Sequence, residues 1–354
     1  MNRKLIFKAY ILYSKLNRLI FFGGYAPLPI LIIWEPSYKC NLRCKMCLFY
    51  GAGGIVPVFK DEMNFSQIKK IFGKIKKSYG LFLPRIHLTG GEPLIHRHFS
   101  DIVAYLGKLG FNYSLTSNFT FLNDKIISTF VKTPPLDLRI SLDGPAEIHD
   151  KIRGVNGTFD KVMKNIRRIK RAKVSVPIRF NCTICNENID HLDKMIDIAR
   201  ANGADLNFQH LMFLDEKRIK QHYTFCAKMF KCKPYPIGCP SKLNGGQVNR
   251  IIAKIRKIKR IDPDITFLPD LKITEIKDYY LDLDRYVHSP YCSSVWSEAR
   301  IAPNGQIYPC FDYYFGNLKF SSFNDIWNGK KARRFRKLLK KRKLFPSCVR
   351  CCKI

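Results

Sequence analysis

From Ile30 to about Leu214 the chain alternates short runs of β-forming residues with stretches spaced like amphipathic helices, and that rhythm leaves few folds open. The strand candidates are LIIWEPS, RIHLTG, NYSLTSN, DLRISLD, PIRFNCT and LNFQHLMF. Between them lie MNFSQIKKIFGKIKKSYG, FSDIVAYLGKLG, FDKVMKNIRRIKRAK and NIDHLDKMIDIARANG, each with apolar residues at helical spacing. A strand that returns through a helix lies parallel to the one before it, with a right-handed crossover. The repetition predicts an α/β fold, a partial (β/α)6 barrel of TIM-like type, with its chemistry at the carboxyl ends of the strands.

The rhythm breaks at Asp215. Residues 215–289 mix CAKMFKCKPYPIGCPSK with the helix candidate QVNRIIAKIRKIKR and read as a connecting segment within reach of substrate. From Pro290 the pattern becomes a hairpin, ARIAPNGQIYPC, turned at Asn304–Gly305, and then a basic helix leading to CVRCC. Residues 290–354 are therefore expected to form a small β-hairpin plus helix domain, residues 30–214 the barrel, and residues 1–29 a separate basic amphipathic segment.

Thirteen cysteines are an odd number, in a long chain without a cleavable secretory leader, which points to reduced thiols that ligate metal in a reducing, cytoplasmic compartment. Cys40, Cys44 and Cys47 stand in C-x3-C-x2-C spacing directly after the first strand candidate. A loop of that length can wrap three corners of a cubane and leave the fourth iron open to an exogenous ligand. A zinc site that borrows a fourth ligand is the alternative for an isolated group of three. Gly90, Gly91, Glu92 and Pro93 end the second strand candidate. The glycines let backbone approach a ligand closely, and the carboxylate can accept from an ammonium; alone, GGEP would be a turn. The stretch SLDGPAEIHDKIRGVNGTFDK begins at the end of the fourth strand candidate.

In this order CNLRCKMC, LTGGEPLIH and SLDGPAEIHDKIRG resemble the radical S-adenosylmethionine (SAM) superfamily, and the resemblance spans about Ile30 to Cys352. It implies that Cys40, Cys44 and Cys47 hold a [4Fe–4S] cluster whose open iron chelates the amino and carboxylate groups of SAM. One electron would then cleave the sulfonium to methionine and a 5′-deoxyadenosyl radical. Met46 stands where relatives usually carry an aromatic residue. The resemblance also implies that Gly90, Gly91, Glu92 and Pro93 meet the SAM amino group, that Ser141 contacts SAM, and that Arg153 pairs with its carboxylate through the guanidinium fork. Asp143 is expected to order the turn, and Ser117 and Asn118 are either ribose or methionine contacts or a polar loop.

Cys292, Cys310, Cys348 and Cys351, with G-x4-C from Gly305 to Cys310, resemble the single-cluster twitch version of the SPASM extension. That implies an auxiliary [4Fe–4S] cluster closed by four thiolates and suited to electron transfer, with Cys352 to spare. Asp312 is a candidate catalytic base beside that cluster, or a surface residue of the hairpin. Cys226, Cys232 and Cys239 either bind a further metal or do not, and Cys182 and Cys185 are expected in the barrel core. Gln209 and His210 end the sixth strand candidate, where a side chain faces substrate or is a satisfied core residue.

Sixty-two Lys and Arg against 28 Asp and Glu give a formal charge of +34. An acidic partner is expected: an acidic flavodoxin or ferredoxin as electron donor, an anionic membrane, a nucleic acid or an acidic substrate. AT-rich coding offers a blander origin for the lysines. Lys4, Lys8, Lys15 and Arg18 fall on one stripe of the opening segment and interrupt it too often for a bilayer span. Such a helix either lies on an anionic membrane surface or packs on the body with its basic face solvated. The acid-free run from Lys330 to Lys343 could track phosphates, but only Phe335 is there to stack on a base, so nucleic acid is the weaker partner. The expected function is that of a radical SAM oxidoreductase or maturase, abstracting hydrogen from a C–H bond of a peptide, an enzyme side chain, an alcohol or sugar, or a lipid-linked molecule. An RNA-modifying or nucleic-acid-binding radical SAM protein and a non-enzymatic iron–sulfur electron carrier are the rivals.

Overall fold

The structure, a computed structural model, describes residues 3–47, 49–50, 62–232, 234, 243–287, 289–310 and 313–353. Helix α1 (Arg3–Ile20) precedes a β–α series: β1 (Leu31–Trp34), α2 (Phe65–Tyr79), β2 (Arg85–Leu88), α3 (Phe99–Lys108), β3 (Tyr113–Ser117), α4 (Asp124–Lys132) and β4 (Leu138–Ser141). It continues through α5 (Ala146–Arg153), α6 (Thr158–Arg171), β5 (Ile178–Thr183), α7 (Lys194–Ala201) and β6 (Asp205–Gln209). All six strands fall where the alternation put them. Local chemistry fixes the helix ends: Asn64 and Gln67 form a capping box at the start of α2, which Gly80 closes. Ile68, Ile71, Phe72 and Ile75 then share one buried face of α2, the i, i+3, i+4, i+7 stripe of a helix that packs on a sheet.

The sheet is longer than six strands. After α8 (Glu216–Phe230) and α9 (Gly245–Ile261), strand β7 (Thr266–Leu268) pairs parallel with β6, followed by α10 (Ile273–Leu281). Strand β8 (Glu298–Ile301) pairs parallel with the opposite edge, Leu31 facing Glu298, and continues antiparallel into β9 (Gln306–Tyr308) and β10 (Gly316–Asn317). The order is β10-β9-β8-β1-β2-β3-β4-β5-β6-β7, so the C-terminal hairpin extends the barrel's own sheet past β1. Helices α11 (Phe323–Trp327) and α12 (Lys330–Arg342) close the chain's last turn back over its amino end. There Arg336, fully buried, donates to the carbonyls of Gly24, Trp327 and Val295 at 3.1, 2.9 and 2.9 Å.

One face of the sheet is apolar and helix-covered, with Ile32, Trp34, Ile86, Leu88, Leu115, Leu138, Ile140, Phe180 and Phe208 fully buried. The alternate positions carry Arg85, His87, Ser114, Thr116, Arg139, Asn181, Asn207 and Arg300. A period of two with polar residues on the concave side marks an interior that holds a polar guest rather than a filled core.

Helix α1 does not pack as an amphipathic helix usually does. Asn17 is buried and Arg18 lies 4.4 Å over the Tyr291 ring, while Leu12, Leu16, Leu19 and Ile20 point outward. No helix among the described residues is long and apolar enough to cross a membrane.

Helix α9 is clasped to the barrel through Asp193, which accepts from Lys254 at 2.8 Å and Lys257 at 2.6 Å. Burial alone would raise this carboxyl, but the two ammonium groups outweigh it and hold Asp193 at about 2, below its ordinary 3.8. A depressed carboxyl stabilises the fold fully above its unfolded value and loses that contribution as pH falls. Asp193→Asn should therefore cost about 1 kcal/mol at neutral pH, the exposed Lys257 being screened by solvent, and nothing below about pH 2, as read from urea unfolding across that range.

Candidate active site

The three cysteines sit on the loop that leaves β1, and two distant segments strap that loop in place. On one side the GGEP turn lies along it: Gly91 N–H donates to Ser37 O at 3.0 Å and Glu92 N–H to Lys39 O at 2.8 Å. A side chain at Gly91 would overlap the carbonyl oxygens of Tyr38 and Lys39, so only glycine permits this approach. On the other side Arg43 N–H donates to Arg153 O at 3.2 Å and Lys45 N–H to Ile152 O at 3.0 Å, at the end of α5. Gly154 closes α5 in the left-handed region, at φ +74°, against the Arg43 carbonyl.

Electrostatics then single out the thiols. Burial pushes Cys40 up to about 11, and the charges of Glu92, Cys44 and Cys47 add to the rise. Burial raises Cys44 too, opposed by Arg153, whose Nη1 stands 3.6 Å from its Sγ. Asn118 Nδ2 stands 3.8 Å from Cys40 Sγ. Neighbouring thiolates that raise one another in a half-buried loop form a donor set needing positive charge among them, and iron supplies it by deprotonating coordinated thiols outright. A structural zinc is closed by four ligands and this loop offers three thiols, whereas a cubane takes three thiolates on three separate irons. The residues present thus fit a cluster better than a structural zinc.

Glu92 is fully enclosed and serves as a knot. Its carboxylate accepts from Ser117 Oγ at 2.7 Å, Asn118 N–H at 2.7 Å and Leu94 N–H at 3.0 Å, the last capping the turn that begins at Pro93. Burial nevertheless lifts it to about 7, so one further cationic donor would settle it as a carboxylate. Ser117 and Asn118, read from sequence as ligand contacts or polar loop, are joined through Glu92 to the cysteine loop. Arg153 is buried with its Nη2 2.5 Å from Asp143, which also accepts the Thr183 N–H at 2.9 Å. Burial would lower the guanidinium, but Asp143 and Cys44 keep it charged. Ser141 ends β4 on the side of the sheet that Arg139 shares. Asp143, expected to order the turn, holds both Arg153 and the start of the β5 loop.

The C-terminal cysteines form a second group. Hydrogen bonding to Cys352 and burial push the Cys351 thiol far up, and the charges of Cys352, Cys348 and Cys292 add to it, so the four lie within electrostatic reach of one another. Cys352, a spare in the sequence pattern, belongs to this neighbourhood. Cys310 follows β9 half-buried against the core. Sequence reasoning missed the residue that fastens the C-x2-C turn. Arg350, between Cys348 and Cys351, is buried and donates to the carbonyls of Asp282, Asp278 and Arg285 at 2.6, 2.9 and 3.1 Å, with the Tyr279 ring 5.0 Å away. Its only signal was an arginine enclosed by a metal-ligand pattern.

Asp312 and Cys239 lie outside the described residues. Cys226 is buried in the core with its Sγ 3.5 Å from His222 Nε2, Cys232 is half-buried, and Cys182 and Cys185 are core residues. His210 is a buried histidine bonded through Nδ1 to Tyr280 Oη at 2.8 Å and lowered to about 3 by burial, so it is a core residue, beside Gln209 at the end of β6.

A parallel sheet whose first strand hands the chain to three clustered thiols, with a second thiol group on the strands added beside that same strand, is the arrangement of a cluster-dependent SAM protein with an accessory cluster. The sequence profile of the radical SAM superfamily matches residues 34–199, and that of an iron–sulfur cluster-binding domain, SPASM, matches residues 292–352. The chain belongs to the radical SAM superfamily with a C-terminal SPASM-type domain, and its cofactors are [4Fe–4S] clusters and SAM. It is 29% identical over 187 residues to the AdoMet-dependent heme synthase of Methanosarcina barkeri, covering 52% of this chain and 51% of that protein. It is 27% identical over 184 residues to the mycofactocin maturase MftC of Mycolicibacterium smegmatis, covering 52% and 45%. The chain thus spans about half the length of the curated relatives it matches. In fold it resembles anSMEcpe with bound AdoMet, at a TM-score of 0.60 and 18% identity over 88% of this chain and 84% of that one. It also resembles Streptococcus suis SuiB bound to S-adenosylmethionine, at 0.60 and 14% over 91% and 69%.

Proposed function

We propose that the chain takes a hydrogen atom from a C–H bond of a peptide and passes the electron left on the substrate to its C-terminal cluster. When bound, the amino-terminal cluster supplies one electron that splits SAM into methionine and a 5′-deoxyadenosyl radical. The observation that carries the reading is the double strap on the cysteine loop, which joins Cys40, Cys44 and Cys47 to Glu92, Ser117 and Asn118 on one side and to Arg153 on the other.

In this reading the chain's own residues do the positioning. Glu92, ready to ionise beside Cys40, takes the ammonium of SAM. Arg153 and Asn118 direct N–H groups at Cys44 and Cys40 sulfurs, and such donors tune a cluster's potential. Cys292, Cys310, Cys348 and Cys351 would hold the accessory cluster, and the product is the substrate less one hydrogen atom, one electron and one proton, two hydrogen atoms in all. Asp312 is the candidate that takes the accompanying proton. A peptide is supported by the maturases among the relatives and by the polar concave face of the sheet, where His87 hydrogen-bonds the Ser114 and Thr116 hydroxyls at 2.8 and 3.0 Å. The formal +34 supports an acidic flavodoxin or ferredoxin as the electron donor.

Anaerobic reconstitution with iron, sulfide, dithionite and SAM should release 5′-deoxyadenosine, faster with a peptide substrate, which should leave oxidised. If both clusters assemble and no 5′-deoxyadenosine forms, the chain is an electron carrier and the proposal fails.

A further inference from the structure

The outward arc of α1 carries Leu12, Leu16, Leu19 and Ile20 at 58, 43, 58 and 59% exposure, and Phe22 follows at 81%. Their spacing of i, i+4, i+7 and i+8 sets them in one ridge, and Lys15 is exposed at its edge. The opposite side buries Asn17 and rests Arg18 on Tyr291. An aliphatic ridge left outward in this way forgoes hydrophobic stabilisation in water, and regains it only when something apolar covers it.

The surface beside the ridge is cationic. Lys340 bridges the two, its Nζ 3.4 Å from the Leu19 carbonyl and 5.3 Å above the Phe22 ring. Arg333 stacks 4.7 Å from the Tyr25 ring and donates to its hydroxyl at 2.7 Å. Along α12, Lys330, Arg333, Arg334, Lys337 and Lys341 line an open groove of about 500 Å³ with Met229 at its wall. No acidic residue occurs from Lys330 to Lys343.

We propose that α1 and α12 together dock the protein on an anionic lipid bilayer, the leucine ridge entering the acyl boundary while the α12 groove meets headgroup phosphates. An aliphatic ridge flanked by lysine and arginine is the composition that lies in a membrane interface, held jointly by apolar burial and by attraction to acidic lipid. Nucleic acid accounts for the groove alone, because the four aliphatic side chains of the ridge offer bases no stacking face and the Phe22 and Tyr25 rings beside it are already faced by Lys340 and Arg333. A folded protein partner would leave the same question, since protein hot spots favour aromatic and arginine anchors over a row of leucines. Lys340 and Lys15 suit the headgroup level, where their stems can lie on the apolar surface with the ammonium in water.

The test uses the full-length reconstituted protein and sedimentation with vesicles of phosphatidylcholine alone or with about 30% phosphatidylglycerol. Binding should be at least about tenfold tighter to the anionic vesicles and should weaken as salt rises. Leu16→Glu with Leu19→Glu should lower that binding about tenfold or more while iron content and 5′-deoxyadenosine formation stay unchanged. Lys337→Gln with Lys341→Gln should reduce the preference for phosphatidylglycerol. Equal binding to both vesicles, or undiminished binding by the leucine variant, overturns the proposal. So does single-stranded RNA that the leucine variant binds as tightly as wild type and that displaces the vesicles, which would give the groove to nucleic acid.

Discussion

Arg153→Met should destabilise the fold by about 3–5 kcal/mol, far more than loss of a surface ion pair. Arg153 and Asp143 are both enclosed, with side-chain exposures of 10 and 0%. Removing the guanidinium strands a carboxylate where burial already disfavours its charge and where, among the described residues, the Thr183 N–H alone remains to serve it. The same substitution takes an N–H from Cys44 Sγ at the strap between α5 and the cysteine loop. Stability and cluster potential should therefore change together, and the double variant Asp143→Asn with Arg153→Met separates them. With the stranded charge gone, most of the lost stability should return in urea unfolding, while the potential of the amino-terminal cluster stays displaced. A cost under about 1 kcal/mol for the single variant would mean that the two groups are solvated in the protein, and that Arg153 is free to serve SAM alone.

The strands of the barrel were legible because alternation between a helix-covered face and a polar concave face writes itself locally, in residues one and two apart. The cysteine loop was legible for the same reason, being contiguous. What escaped were contacts between residues far apart in the chain. Glu92 reads as a SAM ligand in a GGEP turn, yet its enclosure comes from Ser117 and Asn118, and nothing near residue 92 announces them. β7 has three residues, too short for a period to register, and becomes a strand because an exposed edge of the sheet is there to pair with it, while β8 was legible as an arm of the hairpin but its parallel pairing with β1 was not. The basic run of α12 concealed two kinds of arginine. Arg336 points inward, where burial lowers it to about 9 and three carbonyls replace water, while Arg334 remains at the surface. Charge counts cannot separate these, since both read as one positive letter. In α1 the apolar stripe was visible, but which side would face the body depended on Tyr291, more than 270 residues away in the chain.

Cys44→Ala should bring 5′-deoxyadenosine formation to background and reduce bound iron from about eight to about four atoms per chain. Cys44 is the most enclosed of the three thiols on its loop, and the two that remain, Cys40 and Cys47, cannot close a cubane on three corners. Loss of a metal's outer partners already changes activity about 10–100-fold, so loss of a ligand itself should exceed that range. The fold should survive the change, because Arg153 keeps Asp143 and the backbone bonds from Arg43 and Lys45 to α5 do not involve the sulfur. Cys351→Ala makes the converse case. It removes a thiol from the neighbourhood of Cys292, Cys348 and Cys352, so SAM cleavage should persist while substrate oxidation falls. Mössbauer spectra of the two variants would each show one cluster environment missing, and a different one. SAM cleavage retained by Cys44→Ala and lost in Cys351→Ala would reverse the assignment, placing the SAM-binding iron at the C-terminal thiols.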